Sequence, residues 1–258
     1  MPVSGGTPVP YQNADALHRA YPAVDPETQF GYVELDSADG PADVWPVSNG
    51  ESIVKTWPVT AQPLYISSSS ASDTAVTLTI QYLDADGNLG WLEHTHTGGQ
   101  TPTVVPGITV LDVSRVANTG AVQEVGNLYF HTATAHTLGV PDDTATILAM
   151  ILAGHGRTMQ SSFKVPTGYY ARIHAIEICS NRSGGTAGSI SIHCVVKHPG
   201  QAEWVVRQFE FAGGDINQIE AHGIGRLPAG AYFVMRVVAV SHNSTRVSAN
   251  LTFDILPL

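Results

Sequence analysis

From Trp45 to the end of the chain, apolar residues recur at every second position in short runs, and the runs end at Gly, Pro, Asn or Asp. The clearest run is Thr74 to Leu83. It sets Val76, Leu78, Ile80 and Tyr82 on one face and Thr77, Thr79 and Gln81 on the other, as a half-buried strand does. Asp84-Ala85-Asp86-Gly87-Asn88 turns the chain and Leu89 to His96 returns, which reads as a hairpin. Ser52 to Trp57, Leu64 to Ser67, Val104 to Val116 and Gly126 to Phe130 continue the pattern. Thr146 to Leu152 reads equally well as a buried strand or a short helix. No sustained helical period is present, so the crossover helices that parallel α/β folds need are missing. The sequence therefore predicts an all-β protein built from sandwiches or jelly rolls.

Gly154-His155-Gly156 marks an internal boundary, after which the same scheme begins again. Met159 to Val165, Tyr170 to Cys179, Ser189 to Lys197, Glu203 to Ala212, Ala231 to Ser241 and Arg246 to Leu256 read as its strands. At 258 residues the chain has room for two cores. The expected organisation is an N-terminal arm over residues 1–43, a first β-sandwich over 44–154 and a second over 155–258. The arm is rich in proline and shows little alternation, with one short helix expected from Asn13 to Tyr21 under an Asn13 cap.

Lys and Arg number 12 against 22 Asp and Glu, a net charge of −10. A nucleic-acid partner is not expected, because phosphate backbones are held mainly by clustered cations. Thr146 to Ala153, the longest apolar stretch, is far short of the roughly 20 residues that span a bilayer, so a membrane partner is not expected either. The opening Met1-Pro2-Val3-Ser4 lacks the basic start and apolar core of a secretory signal, which points to synthesis in a cytoplasm. Cys179 and Cys194, the two cysteines, sit in apolar runs and are expected as buried free thiols.

Chemistry-bearing patterns are sparse. Asp84-Ala85-Asp86-Gly87-Asn88 opens like a calcium loop, but the twelfth position is Thr95 where a bidentate Glu is needed, so a plain turn is expected. His94 and His96 share a strand face, as two metal ligands would; His131, His136 or Glu93 would have to supply a third, and the spacing singles out none. No G-x-S-x-G elbow or phosphate loop occurs, and Gly223-Ile224-Gly225 lacks a third glycine and a following helix. No catalytic residue, cofactor or metal is assigned, and the chain is not expected to be an enzyme. Trp45, Trp57, Trp91 and Trp204 are candidates for contact surfaces, of which Trp45 and Trp57 are expected at an interface.

Two stretches carry a resemblance. One runs from Asp43-Val44-Trp45-Pro46 through Ser68-Ser69-Ser70-Ala71-Ser72-Asp73-Thr74 to Leu83-Asp84. The other runs from Val165-Pro166-Thr167-Gly168 through Leu227-Pro228 to Asn243-Ser244-Thr245-Arg246-Val247-Ser248-Ala249. Over residues 43 to 258 they resemble virion structural proteins of tailed bacteriophages, of podovirus and cyanophage type. That resemblance implies a capsid decoration or cement protein on the head exterior, a homotrimer seated on the major capsid protein, and it carries over no functional residue. The alternative expectation is a receptor- or carbohydrate-binding tail or head-fibre protein with a host glycan as ligand. A third is a polysaccharide-degrading enzyme.

Overall fold

The computed structural model describes residues 27–48, 53–182, 188–212, 216–220 and 224–258. The fold is nearly all strand, as the alternation predicts. In chain order the strands are β1 (Glu27–Leu35), β2 (Ala42–Asp43), β3 (Gln62–Ser68), β4 (Val76–Leu83), β5 (Leu89–His96) and β6 (Thr103–Val110). Then come β7 (Asp112–Asn118), β8 (Leu128–His131), β9 (His136–Thr137), β10 (Val140–Pro141), β11 (Ile147–Ile151) and β12 (Ser162–Lys164). The last are β13 (Tyr169–Arg182), β14 (Ser189–Lys197), β15 (Trp204–Ala212), β16 (Ile216–Glu220), β17 (Arg226–Leu227), β18 (Tyr232–Val240) and β19 (Thr245–Pro257).

One sandwich is made of the sheets β11-β8-β3-β6 and β5-β4-β7. Its core is mostly aliphatic, with Leu64, Ile66, Leu78, Ile80 and Val113 buried beside the aromatic Phe130. The other is made of β1-β19-β13-β16 and β12-β18-β14-β15. Phe163 stacks on Phe253 with ring centroids 3.9 Å apart at the centre of its core. Counting its eight principal strands in chain order, the first, eighth, third and sixth form one sheet and the second, seventh, fourth and fifth the other. That wrapping is a jelly roll, two Greek keys folded over each other.

Residues 27–43, expected within the arm, belong to this jelly roll. β1 pairs antiparallel with β19 from Glu27↔Phe253 to Leu35↔Thr245, and β2 pairs with β18 at Arg236↔Asp43. The alternation in β1 escapes a reading by hydrophobicity because its inward positions are Gln29, Gly31, Val33 and Leu35, the first two not apolar. The remainder of the expected arm, including the Asn13 to Tyr21 helix, lies outside the described residues. β2 and β12 follow one another along the same edge of β18, and the other sandwich is inserted in the chain between them.

The two connections of the insertion run side by side. Val44 N–H donates to Met235 O at 2.9 Å, Ser161 N–H to Val44 O at 3.0 Å, and Met235 N–H to Ser161 O at 3.0 Å. They pass directly over Gly31, where a Cβ would lie 2.2 Å from Val44 O and 2.6 Å from Ser161 N. Two further elements depart from simple alternation. Ile53 to Trp57 is irregular, its backbone tied to Asp43 on another element. In β13 a bulge between Ile173 and Ala175 moves the buried set from Ala171 and Ile173 to Ile176 and Ile178.

Replacing Gly31 by Ala therefore forces two hydrogen-bonded backbones apart. The expected cost is about 1–3 kcal/mol, the usual range for overpacking, read as a lower urea midpoint at unchanged m-value.

Candidate functional site

Residues 43–48 and 53–57 lie between the two sandwiches and pack on both. On one side Trp45, only 2% exposed, joins Tyr129, Ile147 and Met150, with Val47, Ile53 and Leu152 around them. Leu128 and Phe130 flank Tyr129 in sequence and point into the sandwich core, so Tyr129 faces outward and Trp45 covers it. On the other side Trp57 stacks on Tyr232 of β18, with centroids 4.0 Å apart and planes at 23°. The expected interface residues Trp45 and Trp57 thus meet the chain's own second surface. Trp45 is used up within the fold, because its indole covers an apolar sheet face that would otherwise be wet.

Charged groups line the same seam. Asp43 accepts from Arg236 Nε at 2.6 Å and from Lys55 N–H at 2.7 Å. Arg236 Nη1 donates to Glu203 at 2.8 Å, and Tyr232 OH donates to the other Glu203 oxygen at 3.1 Å. Burial lifts the Asp43 carboxyl to about 6, against the pull of Arg236 and the Lys55 N–H. Burial also opposes the Arg236 charge, yet Asp43 and Glu203 outweigh it and hold the guanidinium above its ordinary value. Lys55 reaches Asp112, at the start of β7, with Nζ 3.3 Å from Oδ1 and both side chains fully buried. Burial pushes the Lys55 ammonium below its ordinary value, although Asp112 and Asp43 oppose the shift.

Neutral contacts also cross the seam. Gln29 and Gln160 donate to the carbonyls of Val113 and Ser114 in β7, at 3.1 to 3.2 Å. Thr167 bonds the Asp86-Gly87 turn through Oγ1 at 2.7 Å and through N–H at 2.8 Å. This gives the Asp84 loop its role. Asp84 Oδ1 accepts from the N–H groups of Asp86 and Asn88, so the loop is a hairpin turn docked on the jelly roll.

The histidines separate into different surroundings. His96 is buried between Thr103 Oγ1 and Gly99 O, each 3.1 Å away, while burial alone lowers the His94 value. Among the described residues no three His, Cys, Asp or Glu side chains gather as a metal site. His131 Nε2 meets Ser67 Oγ at 3.0 Å, but this is no nucleophile with its base. Both residues are fully buried, and Ser67 donates its proton to Gly139 O at 2.7 Å. The imidazole therefore donates from Nε2, and burial brings it down to about 4. Cys179 and Cys194 are free, and burial pushes the Cys194 thiol up to about 12, away from reactivity.

Sequence reasoning missed Lys55, Asp112, Glu203, Tyr232 and Arg236. A signal was present for Lys55, a lone cation at an inward position between Trp45 and Trp57. The partners on β7 and β18 left none, because an isolated charge on a strand ordinarily faces water.

No protein-family model matches this chain, and no curated protein is found similar to it. Among solved structures it is similar to the VP2 subviral particle of infectious bursal disease virus. The identity is 9%, over 91% of this chain and 72% of that one, with a TM-score of 0.21. A structure of the Gx strain of the same virus is 9% identical over 91% of this chain and 77% of that one, with a TM-score of 0.14. Scores of this size carry no argument about what the chain does.

Two measurements check these buried polar contacts. Arg236→Met leaves Asp43 and Glu203 without their cation and is expected to cost about 3–5 kcal/mol, whereas Arg236→Met with Asp43→Asn recovers part of that loss. His131 binds its proton in the unfolded chain from near pH 6.5 but in the fold only near 4. Its contribution, roughly 3 kcal/mol at most, is present above pH 6.5 and lost as pH falls towards 4. Asp43 has its fold value raised from 3.8 to about 6 and acts in the opposite sense. The readout is therefore the difference in Tm between the native chain and His131→Gln across this range, which narrows on acidification.

Proposed function

We propose that this chain is a structural protein of a virus particle, a capsid decoration or cement protein of a tailed phage. It works as a homotrimer against the major capsid protein on the head exterior. The observation that carries the reading is the seam. Buried charges, stacked rings and backbone contacts fix a jelly roll and an inserted sandwich in one orientation, as a clamp between neighbouring subunits requires. Catalysis would require reactive groups gathered at an accessible place, and the Ser67–His131 contact described above is sealed off.

The sheet edges supply contact surfaces. β15 is the free edge of its sheet among the described residues, and it presents Trp204, 37% exposed, and Val205, 47% exposed. An exposed edge strand with apolar side chains is a template for pairing with another chain. Symmetric seats on a shell favour a closed oligomer, and many copies bound at once make modest single contacts sufficient.

Light scattering on the purified protein, joined to co-sedimentation with capsid shells, tests this. A trimer that sediments with shells is expected, and Trp204→Glu with Val205→Lys is expected to abolish binding without changing the circular dichroism. A monomer indifferent to shells overturns the proposal. Trp91, 53% exposed on β5 beside the outward-facing Glu93 and Thr95, favours a second reading as a glycan-binding protein. In that case a glycan array gives signal that Trp91→Ala removes.

A further inference from the structure

Lys55 and Asp112 form a pair unlike the other ion pairs among the described residues. Both side chains have no exposed surface, and Lys55 Nζ stands 3.3 Å from Asp112 Oδ1. Neither Nζ nor either Asp112 oxygen makes a hydrogen bond of acceptable geometry, although all three atoms are buried. Two indole rings wall the site, with Nζ 5.6 Å from the centroid of Trp45 and 5.1 Å from that of Trp57. By contrast, Asp43 has both oxygens occupied by donors.

An ammonium and a carboxylate stripped of water, without the hydrogen bonds that normally compensate, are a costly arrangement. Two covalent facts make a cheaper one available. The pair holds the components of an amide, an amine and a carboxyl, and it holds them at contact distance with water kept away by aromatic walls. Nζ lies 3.3 Å from Oδ1, the atom bonded to the Cγ it would attack, and groups held in contact in this way gain the large effective molarity of an intramolecular reaction. Burial favours the uncharged amine, which is the nucleophilic form.

We propose that Lys55 and Asp112 are the site of a self-formed isopeptide bond that staples the segment between the sandwiches to strand β7. A proton passes from the ammonium to the carboxylate, which cancels both charges. The Nζ lone pair then attacks Cγ of the carboxyl, giving a tetrahedral centre. The N–Cγ bond is retained, one C–OH bond breaks, and the departing hydroxyl takes a proton from the nitrogen and leaves as water. The products are one secondary amide and one water, with no oxidant, reductant or co-substrate. The amide keeps one N–H and one C=O, a smaller polar load to bury than two separated charges.

The test is the intact mass of the full chain under denaturing conditions, followed by protease digestion and fragmentation of the peptides. The expected result is a mass lighter than the sequence sum by one water, and one branched peptide containing both Lys55 and Asp112. Lys55→Arg and Asp112→Ala should each restore the full mass, while the native chain alone gives the answer if neither variant folds. A native mass equal to the sequence sum overturns the proposal. So does a one-water loss that maps to the Asp86-Gly87 step, where cyclisation of an Asp-Gly pair removes the same mass without any branch.

Discussion

A chain that leaves a jelly roll at one edge strand and returns to the same edge must hold its outgoing and incoming backbones against each other. Here the hydrogen bonds among Val44, Ser161 and Met235 do so, and they run through groups with no access to water. Lost pairing at such a place carries the full desolvation cost of each backbone group. The stem explains the glycine at position 31, which leaves room for two crossing backbones above β1. It explains the position of Trp45 as well, one residue beyond Val44, where the departing chain first meets the outer face of the β8–β11 pair.

Electrostatics then set the orientation that the stem alone would leave free. Within the jelly roll Arg236 stands between Asp43 and Glu203 and stiffens the edge from which the insertion departs, and the arginine fork suits two carboxylates better than an ammonium would. Lys55 reaches in the other direction, to β7 of the inserted sandwich. Apolar contact is tolerant of sliding, whereas charges buried in a fixed geometry are not. A seam with both kinds of contact holds two bodies at one angle.

The all-β class was legible because alternation and turn residues are local. Thr74 to Leu83 and the hairpin after it follow from single side chains and from Asp84, Gly87 and Asn88. The boundary of the jelly roll was less legible, since β1 finds its partner in β19 at the far end of the chain. No local pattern announces such pairing when its inward positions are Gln29 and Gly31. The bulge in β13 was written in the spacing, with Ile173 followed by Ile176 three positions on, a step that period two forbids. The polar seam was the least legible feature. Its carboxylates and cations come from β2, β7, β18 and the loops before β3 and β15, and only the tertiary fold turns them from surface residues into buried partners.

The nesting of one sandwich inside the other has a consequence for synthesis on the ribosome. All strands of the inserted sandwich emerge in one uninterrupted stretch, so it has its full set of partners while much of the jelly roll is still unmade. β1, made earlier, waits for β19, made after every other described strand. Domains generally fold as units in the order they are made, and here the first strand belongs to the unit completed last. The early-folding body holds Val44 and Ser161 near each other, which shortens the loop that β1 must close to reach its partners and lowers its entropic cost. The insertion thus works as a scaffold for the domain that encloses it, and β1 is the segment most exposed to a wrong partner until β19 is made.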